Sequence, residues 1–118
     1  MKLKYFQLAK KLSKLSEHHH QIGAVIVRKN RILGVGFNKP RKTHTKSNNA
    51  FRTVHAELAA ILASQEDLTG SVVYVYREFK DGTPNLAKPC KYCQLLIKEA
   101  GIKRVFYTAV KTFEEYEV

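Results

Sequence analysis

Apolar side chains recur with a helical period at the start of the chain, where Tyr5, Leu8, Leu12 and Leu15 share one stripe while Lys2, Lys4, Lys10, Lys11 and Lys14 mostly fall away from it. That spacing predicts an amphipathic helix laid on a sheet face. The pattern then changes. Gly23 to Val27 is a continuous apolar run, Arg28 to Arg31 is polar, and Ile32 to Phe37 is largely apolar again. Two β-rich runs with a short polar connection predict a hairpin. From Asn38 to about Asn49 the chain is polar and basic without a period, a long loop of the kind that often carries function.

The helical period returns from about Ala50 to Ser64. Val54, Leu58, Ile61 and Leu62 form the stripe, Ala56, Ala59, Ala60 and Ala63 favour helix, and Thr69-Gly70 closes the segment. Ser71 to Tyr76 alternates Val and Tyr as a strand does, and the stretch containing Gly82, Pro84 and Pro89 reads as loop. Cys90 to Ala100 predicts a third helix, with Leu95, Leu96 and Ile97 as its apolar content and Gly101 as its stop. Ile102 to Thr108 is the next strand. The tail from Ala109 to Val118, with Phe113, Tyr116 and Val118, fits either an edge strand or loose packing. The order is α-β-β-α-β-α-β, an α/β chain without an internal repeat.

Its 118 residues suit one domain spanning 1–118. Hydrophobic residues are 44% and charged residues 26%, values of folded proteins that exclude a disordered chain. No stretch approaches the roughly 18 apolar residues of a membrane span, and no apolar signal segment opens the chain, so the expectation is an intracellular, cytoplasmic protein. The formal net charge of +11 favours partners bearing phosphate, either a nucleotide or a nucleic acid.

The only cysteines are Cys90 and Cys93, too close together to staple a domain but well spaced for a metal or redox pair. His55-Ala56-Glu57 falls in the second predicted helix and Pro89-Cys90-Lys91-Tyr92-Cys93 at the start of the third. Packed side by side beneath one sheet, the two helix starts would bring one imidazole and two thiolates to one ion. Three protein ligands leave the fourth position of zinc for water, as in catalytic sites. Helix starts also stabilise thiolates. Glu57, two residues after His55, could then reach the water and move protons without being a ligand. Taken singly these residues mean less: a helical His is often structural, and Cys-x-x-Cys also serves redox pairs and closed zinc sites. A closed site would draw its fourth ligand from His18, His19, His20 or His44, although His18-His19-His20 reads more simply as a polar loop.

His-x-Glu followed by Pro-Cys-x-x-Cys is the signature of zinc deaminases acting on bases. With Gly23 to Val27, Gly36-Phe37-Asn38 and His55 to Ile61, it gives a resemblance to the cytidine and deoxycytidylate deaminase superfamily over about Ile22 to Thr108, tRNA adenosine deaminases included. The resemblance implies a three-layer α-β-α fold with a mixed sheet of about five strands. It also implies one zinc ion on His55, Cys90 and Cys93, with Glu57 as the catalytic proton carrier. By the same resemblance Asn38 would contact the substrate sugar, the backbone around Ala56 would receive the base edge, and subunits would complete each other's pockets in a homo-oligomer. His rather than Cys at the first ligand position is similar to the deoxycytidylate, tRNA-adenosine and guanine branches and disfavours free cytidine.

Between Asn38 and His55 lie Lys39, Arg41, Lys42, His44, Lys46 and Arg52 and no acidic residue. Of these, Lys39, Arg41 and His44 are candidate phosphate contacts, for a 5′-phosphate or a polynucleotide backbone. Tyr5, Phe51 and Tyr92 are candidate stacking surfaces. The expected reaction is cytosine to uracil in a nucleotide such as dCMP. The alternatives are deamination of cytosine or adenine in single-stranded DNA or tRNA, and a basic nucleic-acid-binding module with structural zinc.

Overall fold

The computed structural model describes residues 2–17, 20–40 and 53–118. Helix α1 (Leu3–Ser13) is followed by strands β1 (Ile22–Arg28), β2 (Arg31–Phe37), β3 (Lys39–Pro40) and β4 (Thr53–Val54). Helix α2 (Ala56–Ala63), β5 (Val72–Arg77), α3 (Lys91–Glu99), β6 (Arg104–Ala109) and β7 (Thr112–Glu117) complete the order. Five strands form one mixed sheet in the order β2-β1-β5-β6-β7, while β3 and β4 pair separately. Only β5 and β6 run parallel, with α3 in the connection between them; the other pairs of the sheet are antiparallel.

Both faces of the sheet are covered, which explains why β1 reads as an unbroken apolar run instead of alternating. Val25 and Val27 face α1 with Tyr74, Tyr76 and Phe106. Ala24 and Ile26 face the opposite layer, where Ala56 and Ala60 of α2 and Ile97 of α3 are buried. The result is the expected three-layer arrangement. The β1-β2 hairpin turns on Lys29 and Asn30, both with positive φ, as a two-residue turn of matching twist requires.

Two helices differ from the sequence reading, and one open question is settled. Helix α2 begins at Ala56, since Thr53–Val54 is extended and pairs with Lys39–Pro40. Val54 therefore belongs to a strand and not to the helical stripe. Nor do the large aliphatic residues of α2 make its buried face: Leu62 is 70% exposed, and the helix buries Ala56, Glu57 and Ala60. Likewise α1 ends at Ser13, leaves Leu15 exposed and buries Phe6, Ala9 and Ser13 beside Tyr5. The open question of the tail is answered by β7, which pairs antiparallel with β6 from Arg104↔Glu117 to Ala109↔Thr112.

Close approach explains the small residues. A Cβ on Gly36 would lie 2.5 Å from the Ala60 nitrogen and 2.7 Å from the Ala56 carbonyl oxygen, and one on Gly34 would lie 2.4 Å from the Ala60 carbonyl oxygen. Across the sheet, a Cβ on Gly23 would stand 2.0 Å from the Ala9 carbonyl oxygen. Backbone cannot yield cheaply at such distances. Gly36→Ala is expected to lower stability by about 2–3 kcal/mol in urea unfolding, the cost of overpacking a fitted contact. Unchanged stability would show that α2 is free to move away from β2.

Candidate active site

His55 and Cys90 occupy equivalent positions at the starts of two helices. His55 is the N-cap of α2 and Cys90 the N-cap of α3, both with extended backbone. His55 therefore stands at the mouth of its helix rather than inside it. The Cys90 sulfur accepts from the Cys93 N–H at 3.4 Å, so the cap itself supplies a donor to the thiolate. Gln94 ties the turn from the other side, its side-chain amide donating to the Pro89 carbonyl at 2.8 Å.

The segment before Cys90 is fixed by the sheet. Buried Thr108 accepts from the Arg77 N–H at 3.0 Å and donates to the Asn85 carbonyl at 2.6 Å. Ala87 N–H donates to the Thr108 carbonyl at 2.8 Å. These bonds hold residues 85–88 against the ends of β5 and β6, and Cys90 follows directly.

One ligand atom each from His55, Cys90 and Cys93 lie within 4.8 Å of one another. His55 Nδ1 is 3.2 Å from Cys93 Sγ and 3.6 Å from Cys90 Sγ. Zinc bonds of about 2.3 Å to sulfur and about 2.0 Å to nitrogen at tetrahedral angles place such atoms about 3.6 Å apart. The donor set fits zinc. Burial, then the negative charges of Glu57 and Cys90, push the Cys93 thiol up, so a cation is what would stabilise the thiolate there.

Glu57 is 5% exposed, and burial, only partly offset by a backbone hydrogen bond, pushes its carboxyl up to about 7. It lines a cavity of about 330 Å³ with His55 and Cys90, whose remaining wall includes His20, Ile22, Asn38, Arg77 and Lys88. That volume lies in the range of small-molecule sites.

Arg77 and Lys88 are the cations of this wall, and sequence reasoning missed both. Lys88 lies two residues before Cys90 and was within reach of a motif-based search. Arg77 carries no local signal; the pairing Ile22↔Arg77 brings it in. Its Nη2 donates to His20 Nδ1 at 2.7 Å. Tyr116 of β7 was also missed as a neighbour of the site. Its hydroxyl is buried without a hydrogen-bond partner, and burial, then the charge of Glu57, push it up to about 12.

The substrate-contact candidates separate. Asn38 lines the cavity, but its amide serves the backbone, accepting from the Ile22 N–H at 2.9 Å and donating to the His20 carbonyl at 2.5 Å. Ala56 is fully buried at the first turn of α2. Lys39 is exposed, outside the cavity lining, with its ammonium 5.0 Å from the centre of the Phe37 ring. Arg41, His44 and Phe51 lie outside the described residues, as do His18 and His19. Tyr5 belongs to α1 and packs against the other sheet face, so it offers the site no stacking surface; Tyr92 is 43% exposed and does not line the cavity.

The family described as the cytidine and deoxycytidylate deaminase zinc-binding region matches residues 1–109. The chain belongs to this family. It is 34% identical to the deoxycytidylate deaminase of Mycobacterium phage D29, over 74% of this chain and 77% of that one. It is 32% identical to an uncharacterized deaminase of Aliivibrio fischeri, over 87% of this chain and 69% of that one. Among solved structures, the dCMP deaminase of cyanophage S-TIM5 superposes with a TM-score of 0.69 at 28% identity, covering 91% of this chain and 84% of that one. A cytidine deaminase from Burkholderia pseudomallei, at 17% identity, shares the fold with a TM-score of 0.74 over 99% of this chain and 92% of that one. The protein is thus a nucleotide deaminase with the cytidine-deaminase-like fold. No helix among the described residues is long and apolar enough to cross a membrane.

The raised carboxyl makes the metal-free deaminase sensitive to pH. Glu57 keeps its proton to about pH 7 when folded but releases it near 4.5 when unfolded. Between those values the unfolded chain binds fewer protons, so stability falls as pH rises. The loss reaches up to about 3 kcal/mol, because each pH unit between the two values is worth about 1.4 kcal/mol. Urea unfolding of chelator-treated protein at pH 5 and pH 7.5 should show this loss, and Glu57→Gln should flatten it.

Proposed function

We propose that the deaminase converts the cytosine of deoxycytidine 5′-monophosphate to uracil, with one zinc ion held by His55, Cys90 and Cys93 and protons carried by Glu57. The reading rests on one observation above all: a buried carboxyl beside a His-Cys-Cys group in a cavity whose lining also includes Arg77 and Lys88. The S-TIM5 relative, at 27% identity, has a structure in complex with dCMP and dUMP, which supports the same substrate pair here.

A bound zinc ion would bring the pKa of water near neutrality and so supply a nucleophile. Water adds at C4 of the base, and the 4-amino group leaves as ammonia. Glu57 takes the proton released from the water, passes it to the ring nitrogen, and relays a proton to the departing amine. Glu57 sits buried at the first turn of α2 without being one of the three ligands, the placement a carboxyl needs to take a proton and return it. Arg77 and Lys88 hold the 5′-phosphate, a task their cationic side chains perform in charge-assisted hydrogen bonds. Asn38, its amide committed to the backbone, fixes the cavity wall and presents its remaining hydrogen-bond capacity to the sugar, while the backbone at Ala56 meets the base edge. The chain acts as a single catalytic domain.

Ammonia release from zinc-loaded protein tests the reading. Turnover of dCMP is expected, with kcat/KM for deoxycytidine lower by about 100-fold or more because the phosphate contacts are worth several charge-assisted hydrogen bonds. Activity on single-stranded DNA alone would overturn the nucleotide assignment.

Glu57→Gln should cost about 10²–10⁴-fold in turnover, the usual weight of a proton carrier, with zinc content by atomic absorption unchanged. Cys93→Ser should lose the metal as well. Full activity of Glu57→Gln would remove Glu57 from the mechanism.

A further inference from the structure

A second crevice of about 730 Å³ lies at the opposite end of the strands from the catalytic cavity. Ile22 pairs with Arg77 at the catalytic end and Val27 with Val72 at the other, a separation of about 17 Å at 3.4 Å per residue. Its lining includes Lys2, Arg28, Lys29 and Lys103, against one carboxylate, Asp67. None of these four cations forms an ion pair among the described residues. Asp67 is itself engaged, accepting from the Thr69 N–H at 3.0 Å and the Thr69 hydroxyl at 2.7 Å.

Two further features point the same way. Lys2 is the N-cap of α1, whose first turn carries no acidic residue; its own side chain makes no cap bond, and its N–H donates to the Tyr74 hydroxyl at 3.0 Å. The positive end of an eleven-residue helix therefore opens beside the four cations. Tyr5, which lines the crevice, is only 5% exposed, and its hydroxyl has no hydrogen-bond partner. A buried donor of this kind gains when an acceptor enters.

We propose that this crevice is an anion site, separate from the catalytic cavity, that takes the phosphate group of a small phosphorylated molecule. Lys29 and Lys103 are exposed and meet the anion first. The Tyr5 hydroxyl donates to it from within. Arg28 contributes charge while its guanidinium stays anchored, donating to the carbonyls of Asp67 at 2.6 Å and Thr69 at 3.1 Å. The concave form and polar rim of Asn30 and Thr69 fit a small molecule better than an extended strand, whose backbone would need a continuous basic groove.

The test is a titration of the full chain with inorganic phosphate, read by amide shifts in two-dimensional NMR against sodium chloride at matched ionic strength. Saturable shifts are expected at Asn30, Thr69 and Gly70. The Lys29→Gln/Lys103→Gln double variant should weaken them at least 10-fold. Tyr5→Phe, which keeps the ring in place, should weaken them several-fold without changing the melting temperature by more than a few degrees. Arg77→Gln, at the catalytic end, should leave them as they are. Shifts confined to the surroundings of Arg77 and Lys88, equal shifts with chloride, or unchanged binding in the double variant would each overturn the proposal.

Discussion

Helix α2 rests on β2 with no side chain between them, because Gly34 and Gly36 face Ala56 and Ala60 at backbone distance. The rest of the site depends on that contact. It fixes the height of α2 above the sheet, and with it the position of His55 at the helix mouth and of Glu57 in the first turn. A larger residue at any of these four places would lift the helix and carry both functional side chains away from Cys90 and Cys93. The catalytic geometry is thus set by what is missing from the core as much as by what fills it, since close-packed interiors transmit such displacements instead of absorbing them.

The electrostatics of the site follow from the same burial. Cys93 and Glu57 are 1% and 5% exposed; burial raises the energy of both charged forms, and at Cys93 the charge of Glu57 adds to it. A divalent cation at the His-Cys-Cys group would relieve this conflict, so folding and metal binding should support one another. The exposed ion pairs contribute little by comparison: Arg104 with Glu115 and Glu117, and Arg31 with Glu66, lie at the surface. The large positive charge serves ligands more than stability, and both ends of the strands carry a share of it.

Much of this was legible in the amino-acid order. The hairpin, the three helices and the strands that flank the third helix carry local signals: apolar runs, helical spacing and the stop at Gly101. The two metal-ligand motifs are likewise local, since each is held within one helix start. Misreadings arose where packing overrode pattern. Leu62 and Leu15 look like core residues by spacing, yet they are exposed, because the close approach of each helix selects Ala and Ser for the buried face. Val54 looks helical until its segment pairs with Lys39–Pro40.

Sequence by itself therefore determined the order of the three helices and of strands β1, β2, β5 and β6, the α/β class and the identity of the groups able to do chemistry, because these depend on residues near one another in the chain. Tertiary structure alone decided that Arg77, 20 residues after Glu57, faces the same cavity; that Tyr5 belongs to the opposite face; and that the tail pairs with β6 and sends Tyr116 toward the site. Strand order and register govern such placements, and they follow from which faces can be buried together, a property that no single segment encodes.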